Sequence, residues 1–455
     1  MRITALPIHT PYDFEGNRNM NPFRLSLPLV LLLILSTLVP ALAYDGIVEK
    51  KSFYMKSYTT VGGETIPDVK IGWESYGRLN AARDNVILIT QSFSSTSHAA
   101  GRYAPGESPG YWDAIIGSGK AIDTDKYYVI SSDTLVNIHA YSDKVVTTGP
   151  ASINPATGLE YGMDFPFVTI LDFVNVQKAL LDSLGIRSLH AVAGLSMGAM
   201  QAMEWGNAYP NMVKRIIAVA GHSQTDSYLV ELCDSLASFI TLDPKWQNGN
   251  YYGSGQPEDG LREARKLQFM TAVYWQFTED NYGRAWADDR NSVLRQSFDD
   301  QYKISKSLDA AAKAYVEDVD ANHYLYMLKA TQDYIVGHTG SMEGELARIK
   351  APILFIYSPN DLVIPADKVC QTGQKIREIR KKAGNRAVVE FAKIEGNAGH
   401  VDSIFSISQA ADRIERFLER EPYRMPRRRM PGYGYGYGYG YGYGYAHTQN
   451  HDECP

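Results

Sequence analysis

The pentapeptide Gly194-Leu-Ser-Met-Gly198 constrains this chain more than any other feature of the sequence. It follows a strand-like run at Leu189–Ala193 and precedes a helix-forming run at Met197–Trp205. The five-residue pattern alone is common by chance, but a serine at a strand-to-helix junction needs small neighbours, because bulky side chains would collide with the adjoining elements. Such a turn presents the hydroxyl at the positive end of the helix dipole. The motif therefore predicts Ser196 as a nucleophile.

A serine hydroxyl is a weak nucleophile until a base takes its proton. In folds built around this turn, the acid and then the histidine follow the serine along the chain. Asp361 comes directly after the strand-like run Ile353–Tyr357, and His400 follows the run Val388–Ala392. Taken singly, Asp361 would be better explained as a turn residue than as a catalytic acid. His400 taken singly could equally be a surface loop residue or a catalytic base. Their joint order behind the serine predicts a catalytic triad.

This triad predicts acyl transfer through a covalent intermediate. His400 would take the proton of Ser196, which attacks an ester or thioester carbonyl, while Asp361 fixes the imidazole tautomer. The tetrahedral oxyanion needs two backbone N–H donors. We expect one from Met197, the residue after the nucleophile, and the other from Phe93, in the loop after an earlier strand. Water or an alcohol would then accept the acyl group.

Six β-rich runs alternate with helical patterns or turns, which is typical of an α/β fold with a mostly parallel sheet covered by helices on both faces. The runs are Val86–Thr90, Tyr127–Ser131, Ser188–Ala193, Arg215–Ala220, Ile353–Tyr357 and Val388–Ala392. Between the fourth and fifth runs only helical patterns occur, which indicates an inserted lid. The predicted α/β-hydrolase core is residues 44–221 plus 350–421, and the predicted helical lid is residues 222–349.

The N-terminal part of the chain resembles a secretory signal peptide. Residues 27–39 form an apolar run of 13 residues, preceded by Arg24 and followed by Ala41-Leu-Ala43. A helix that spans a bilayer needs about 20 residues, so we predict cleavage after Ala43 rather than a transmembrane segment. Residues 1–19 would be an over-extended start. A buried edge element is the disfavoured alternative, because nothing upstream could pack against it. The mature protein would be secreted or periplasmic.

The C-terminal segment 422–455 contains seven Gly-Tyr repeats after an arginine run. The repeat has neither helical nor strand periodicity, so it predicts a disordered tail. A solvated extension is favoured over a tail whose tyrosines bind a surface. The three cysteines, Cys233, Cys370 and Cys454, are odd in number and far apart, which predicts neither a disulfide framework nor a metal knuckle.

No sequence motif indicates a cofactor or a metal site. The net charge of −6 gives no footprint for nucleic-acid binding. The expected partners are therefore a small ester or other acyl donor and a water or alcohol acceptor. A second copy of the chain, as a homodimer, is left open.

From about Trp73 to Leu418 the chain resembles the homoserine O-acetyltransferase family of α/β-hydrolases. The matching stretches are Glu74–Asn80, Ser97–Gly101, Tyr111–Asp113, Gly119–Asp125, Thr148–Pro155, Tyr161–Pro166, Ser196–Trp205 and Ala321–Tyr326. The resemblance implies that Ser196, Asp361 and His400 occupy the family's triad positions. It also implies that the insertion is the family's lid and that Arg265 is its substrate-binding arginine.

Several family positions differ in this chain. The oxyanion loop of the family reads Gln91-Ser-Phe-Ser-Ser95 here, and the lid tyrosine expected after the arginine is Ala272. The aspartate that directly follows the family's catalytic histidine is Val401, with Asp402 one place later. The segment Val136–Tyr141 replaces a glycine-rich stretch. The groups that would define homoserine as acceptor are therefore eroded, while the acyl-transfer residues are kept.

Acetyl-CoA is not expected outside the cytoplasm, so export favours water as the acceptor. The sequence therefore favours an esterase on an acetyltransferase scaffold. The alternative is an O-acyltransferase that passes an acetyl or other acyl group to homoserine or another alcohol. A non-catalytic surface-binding module is a minor alternative.

Overall fold

The computed structural model of this protein describes residues 44, 46–288, 290, 293–338, 340–420 and 454. The predicted signal peptide and the predicted tail, apart from Cys454, lie outside the described residues. Within the described residues, no helix combines the length and the apolar character needed to cross a bilayer.

An eight-stranded sheet forms the centre of the fold, in the order β1-β2-β6-β3-β7-β8-β9-β10. A small parallel pair, β4 with β5, lies apart from it. The strands are β1 (Lys51–Thr59), β2 (Thr65–Tyr76), β3 (Val86–Thr90), β4 (Ile116–Gly117), β5 (Ile122–Asp123), β6 (Tyr128–Ser132), β7 (Ala191–Leu195), β8 (Ile216–Val219), β9 (Ile353–Tyr357) and β10 (Val389–Lys393). Strands β1 and β2 pair antiparallel, as do β2 and β6. The pairs from β6 through β10 are all parallel.

The α-helices are numbered in chain order over the described residues. They are α1 (Ile170–Ser183), α2 (Met197–Ala208), α3 (Ser227–Leu242), α4 (Glu258–Ala272), α5 (Trp275–Tyr282), α6 (Lys303–Val316), α7 (Ala321–Gln332), α8 (Met342–Arg348), α9 (Ala366–Ala383), α10 (Asp402–Phe405) and α11 (Ala411–Glu419). Short 3-10 turns lie at Gly162–Asp164, Pro244–Gly249, Gly399–Val401 and Ile407–Ala410.

The central strands are apolar throughout because both faces of the sheet are covered. In β3, Val86 and Leu88 pack in one core cluster, which also contains Phe173 of α1. Ile87 and Ile89 pack on the opposite face, in the cluster that contains Ile414 of α11. A strand buried on both faces shows no alternation of apolar and polar residues. This is why the sequence pattern located the six parallel strands to within a few residues.

The antiparallel pair β1–β2 has no counterpart among the predicted runs. Side chains along β1 alternate between half-buried and exposed, because this strand forms an edge of the sheet. Its sequence, KSFYMKSYT, accordingly mixes polar and apolar residues. A search for continuous apolar runs passes over such a strand.

Helices α3 to α8 all lie between β8 and β9 in the chain, where the helical lid is predicted. Within this stretch α3 packs against α4 and α7, and α4 packs against α6. Leu229, Cys233 and Leu236 form the buried face of α3, whereas Leu242 at its end is 80% exposed. The insertion boundaries at residues 221 and 349 stay predictions.

The sequence predicts no disulfide framework, but the fold contains one disulfide. Cys370 of α9 and Cys454 are bonded, with their Cα atoms 5.8 Å apart across 84 positions of sequence. Distance along the chain says nothing about distance in space, and two of three cysteines suffice for one bond. The third, Cys233, is a free and buried thiol.

Candidate active site

Ser196 lies in a strained turn between β7 and α2. Its backbone has φ 55° and ψ −124°, and its N–H donates to the carbonyl of Val219 at 2.8 Å. A Cβ on Gly194 would collide with Thr90 and with the backbone of Gly198, and a Cβ on Gly198 would collide with the backbone of Thr90. Both glycines of the motif are therefore required by close approach of the backbone. The surrounding backbone keeps Ser196 in this strained conformation, at the N-terminus of α2.

Asp361 and His400 form a direct pair. Asp361 follows β9, and its Oδ2 lies 2.7 Å from Nδ1 of His400. Its Oδ1 accepts the backbone N–H groups of Val363 at 2.9 Å and Ile364 at 2.8 Å, so the buried carboxyl is fixed in orientation. An ionised carboxylate only accepts hydrogen bonds, so Nδ1 carries the proton and Nε2 is the basic nitrogen.

The loop that carries His400 packs closely against the backbone of Tyr274 and Asn360. Gly399 has φ 71°, and a Cβ there would press on the backbone of Tyr274 and Asn360. Asp402 is buried and accepts the N–H of Ala398 at 3.1 Å and the hydroxyl of Ser406 at 2.7 Å. The Asp402 carboxyl therefore stabilises the loop from behind.

One cavity of about 210 Å³ brings together most of the predicted site residues. Its lining includes Phe93, Ser196, Met197, Arg265 and His400. The aspartate of the predicted triad lies outside the lining, where it contacts the far side of the imidazole. The serine and the histidine thus share one chamber, and the carboxyl supports the histidine from outside it.

The two residues predicted to supply oxyanion donors, Phe93 and Met197, both line the cavity. Met197 is the first residue of α2, and the first four N–H groups of a helix have no intrahelical acceptor. Phe93 lies in the loop after β3, and its N–H has no hydrogen-bond acceptor among the described residues.

A buried network that the sequence analysis did not single out holds the loop after β3. Asp133 accepts the N–H of Ser97 at 2.7 Å and forms an ion pair with Lys50 at 3.2 Å. Lys50 also pairs with Glu74 at 3.0 Å. Burial alone would raise the pKa of Glu74, but the hydrogen bond from His98 and the charge of the lysine outweigh it and lower this pKa to about 2. In the sequence, the only sign of this network is that its polar residues lie near the ends of strands that are far apart in the chain.

Gln91 occupies the start of the same loop and is fully buried. Its side chain donates to Thr134 at 3.0 Å and accepts from Asn137 at 2.9 Å, while its carbonyl accepts from Gln201 of α2 at 2.8 Å. The loop is therefore tied to the nucleophile helix through paired amides. Gln91 and Asn137, which belong to two of the segments that differ from the family, therefore form a hydrogen bond with each other.

Arg265 of α4 presents a guanidinium to the cavity. Its Nη1 donates to Gln268 at 2.8 Å, and its Cζ lies 4.1 Å from the centre of the Tyr315 ring. Within the described residues no carboxylate forms an ion pair with it. The nearby positions Ala272 and Val401 add apolar surface to the same cavity. The site can thus hold an anionic group at Arg265 but offers no carboxylate from these two positions.

This fold and this cavity define an α/β-hydrolase of the acyl-transfer type. The sequence pattern described as "alpha/beta hydrolase fold" matches residues 112–406. The predicted fold class is therefore confirmed.

The relatives narrow the class. A homoserine O-acetyltransferase of Symbiobacterium thermophilum is 37% identical over 78% of this chain and 90% of its own length. The crystal structure of a homoserine O-acetyltransferase from Bacillus anthracis is 38% identical, with a TM-score of 0.77 over 83% of this chain and 100% of that one. The crystal structure of esterase E22 is 44% identical, with a TM-score of 0.77 over 82% of this chain and 100% of that one. The chain belongs to the homoserine O-acetyltransferase-like family of α/β-hydrolases and is an enzyme.

Proposed function

We propose that this protein is a serine esterase that hydrolyses small carboxylic esters through an acyl-enzyme. The observation that carries the proposal is the 2.7 Å pair of Asp361 with His400, in a cavity that also contains Ser196 at the start of α2. A nucleophile, a base oriented by a carboxylate and two free backbone donors are the parts that acyl transfer needs.

The proposed reaction has two halves. Nε2 of His400 takes the hydroxyl proton as Ser196 Oγ bonds to the ester carbon, and the N–H groups of Phe93 and Met197 bind the oxyanion. The intermediate collapses when the imidazolium returns the proton to the departing alkoxide, which leaves as the alcohol. Water then loses a proton to the same nitrogen and attacks the acyl-enzyme, so the acid departs and the serine is restored. Asp361 stabilises the imidazolium in both halves.

Water is favoured as acceptor because the cavity lacks the expected carboxylate for an amino acid's ammonium group. Val401 lines the cavity, whereas Asp402 is buried in contacts with its own loop. An ammonium group left without a partner loses about 1–3 kcal/mol of recognition. Asp402 therefore supports the histidine loop rather than an acceptor.

Acyl transfer to an alcohol is the second candidate, and Arg265 favours it. An arginine without a carboxylate partner in a cavity is suited to binding a substrate carboxylate. Homoserine carries such a group, and relatives of this chain are named homoserine O-acetyltransferases.

We also propose that the protein is exported. Two independent features support this location: the predicted signal peptide at residues 1–43 and the Cys370–Cys454 disulfide. Disulfides persist in oxidising compartments and are rare in the cytoplasm.

Hydrolysis of p-nitrophenyl acetate by the wild type and by Ser196→Ala tests the proposal. We expect the variant to lose at least about a thousandfold in kcat/KM. Equal rates in both proteins would refute the triad. Added homoserine separates the two candidates, because a transferase would release p-nitrophenol faster and form O-acetylhomoserine, whereas the esterase would release acetate at an unchanged rate.

A further inference from the structure

The walls of the active-site cavity are of two kinds. Beyond the two residues that flank Ser196 in the chain, the buried apolar side chains of the lining form one part of it, and they are Met200, Leu229, Cys233, Leu236 and Leu328. The polar and half-exposed side chains form another part, and they are Ser94, Arg265, Gln268 and Thr271. We call the first group the deep end of the cavity.

Helices α3, α2 and α7 build the deep end, the last of them through Leu328. Leu229, Cys233 and Leu236 are spaced four and three positions apart on α3, so they share one face of that helix. Met200 lies four positions after Ser196 on α2, on the same side of that helix. The deep end therefore begins one turn from the nucleophile and runs beneath a lid helix.

The chemistry of the proposed reaction decides which part of an ester faces the deep end. His400 must protonate the departing oxygen, so the alcohol portion lies on the histidine's side of the serine. The histidine and its neighbours Val401 and Ile404 are only half-buried. The alcohol has to leave, and water has to enter, while the acyl group still occupies the site. The acyl chain is the portion that can remain in a buried apolar end.

We propose that the deep end is an acyl-chain pocket that makes this enzyme selective for unbranched esters of about four to six carbons in the acid portion. The inference rests on the proposed esterase function and adds its substrate class. A cavity of roughly 150 Å³ lined by apolar side chains is large enough for benzene. The cavity here measures about 210 Å³ in all, including the space beside the serine. An acetyl group would leave much of it empty, and a chain of ten carbons would have to occupy the space beside the serine that the alcohol portion needs.

The chain-length dependence follows from the burial of methylene groups. Each methylene removed from water into the deep end raises kcat/KM about fourfold, the factor that corresponds to about 0.8 kcal/mol. Butanoyl should therefore be preferred over acetyl by about fifteenfold. The rise in kcat/KM ends once the acyl chain fills the pocket. Esters with longer chains have a lower kcat/KM because their chains collide with the buried side chains.

Hydrolysis of p-nitrophenyl acetate, butanoate, hexanoate, octanoate and decanoate tests the inference in the full-length protein. Cys233→Leu narrows the pocket and should move the preferred chain about two carbons shorter. Leu236→Ala widens it and should move the preferred chain longer. Leu242→Ala is the matched control, because this residue lies on the same helix but is 80% exposed, and it should leave the profile unchanged.

A binding measurement without turnover separates this inference from the proposed function. Hexanamide, but not acetamide, should raise the thermal denaturation temperature of the wild type, because a ligand that binds only the folded state stabilises it. This shift should shrink in Cys233→Leu and persist in Ser196→Ala. Activity that depends on Ser196, peaks at acetate and ignores both pocket variants would overturn the acyl-chain pocket alone. Absent hydrolysis of every ester, with the hexanamide shift intact, would overturn the esterase proposal instead.

Discussion

We expect Glu204 to make the stability of this protein depend on pH. It lies on α2, eight residues after Ser196, and is completely buried. One carboxyl oxygen accepts the N–H of Gly337 at 2.9 Å, and the other has no hydrogen-bond partner among the described residues. Burial raises the pKa of Glu204 to about 7, and the charge of Glu345 adds to the effect, whereas the hydrogen bond from Gly337 opposes it.

The sign of the effect follows from the protons bound in each state. Between pH 4.5, the ordinary value for Glu204, and about pH 7, the folded protein retains the carboxyl proton that the unfolded chain has released. The free energy of unfolding therefore falls as the pH rises through this window, and the loss is complete above pH 7. The difference between the pKa of Glu204 in the unfolded chain and in the folded protein corresponds to about 3 kcal/mol of unfolding free energy.

Glu204→Gln removes the charge and keeps an acceptor for Gly337. Urea unfolding at pH 5 and pH 8 measures the consequence, with Glu378→Gln on the exposed face of α9 as the control. The measured quantity is the free energy of unfolding of each variant minus that of the wild type. For Glu204→Gln we expect this difference to be about 3 kcal/mol more favourable at pH 8 than at pH 5. For the control it should be the same at both pH values. A difference that is the same at both pH values would refute the reasoning.

Three further predictions concern the site and the disulfide. Asp361→Asn should lower kcat about ten-thousandfold with little change in KM, because the imidazole loses its oriented tautomer. Steady-state kinetics measures both constants, and circular dichroism checks that the variant is folded. A folded variant whose kcat and KM stay near the wild-type values would contradict the role of Asp361. Asp133→Asn replaces one of the two carboxyl oxygens that accept the N–H groups of Ser97 and Val146. We therefore expect kcat to fall about tenfold and the free energy of unfolding to fall by about 1–3 kcal/mol. An unchanged kcat would show that this network does not position the oxyanion loop. Cys454→Ser should cost about 2–4 kcal/mol of stability in urea unfolding, and the same loss should follow reduction of the wild type; a variant as stable as the wild type, or a peptide map without the bond, would contradict the pairing.

The residues proposed for the reaction could be predicted from the sequence because each is tied to a local pattern. Ser196 lies between two glycines, each of which a Cβ would drive into Thr90, and Asp361 and His400 follow mainly apolar strand runs. Sheet topology brings the ends of parallel strands to one edge, so order along the chain translates into proximity.

The remaining features depend on contacts between distant segments. Lys50, Glu74 and Asp133 meet only because β2 and β6 are neighbours in the sheet. Cys370 and Cys454 meet across 84 residues with no pattern between them. No local periodicity reports such pairings, so the loop network and the disulfide were visible only in the folded chain.

The bond between α9 and Cys454 changes what a cut in the chain can do. A protease that cleaves once between residue 421 and the final cysteine leaves both pieces joined through Cys370. Nicked and intact molecules would then migrate together on a gel until a thiol is added. A purification tag fused behind residue 455 would likewise stay attached to nicked enzyme, so its retention would report the redox state of the preparation rather than the integrity of its polypeptide.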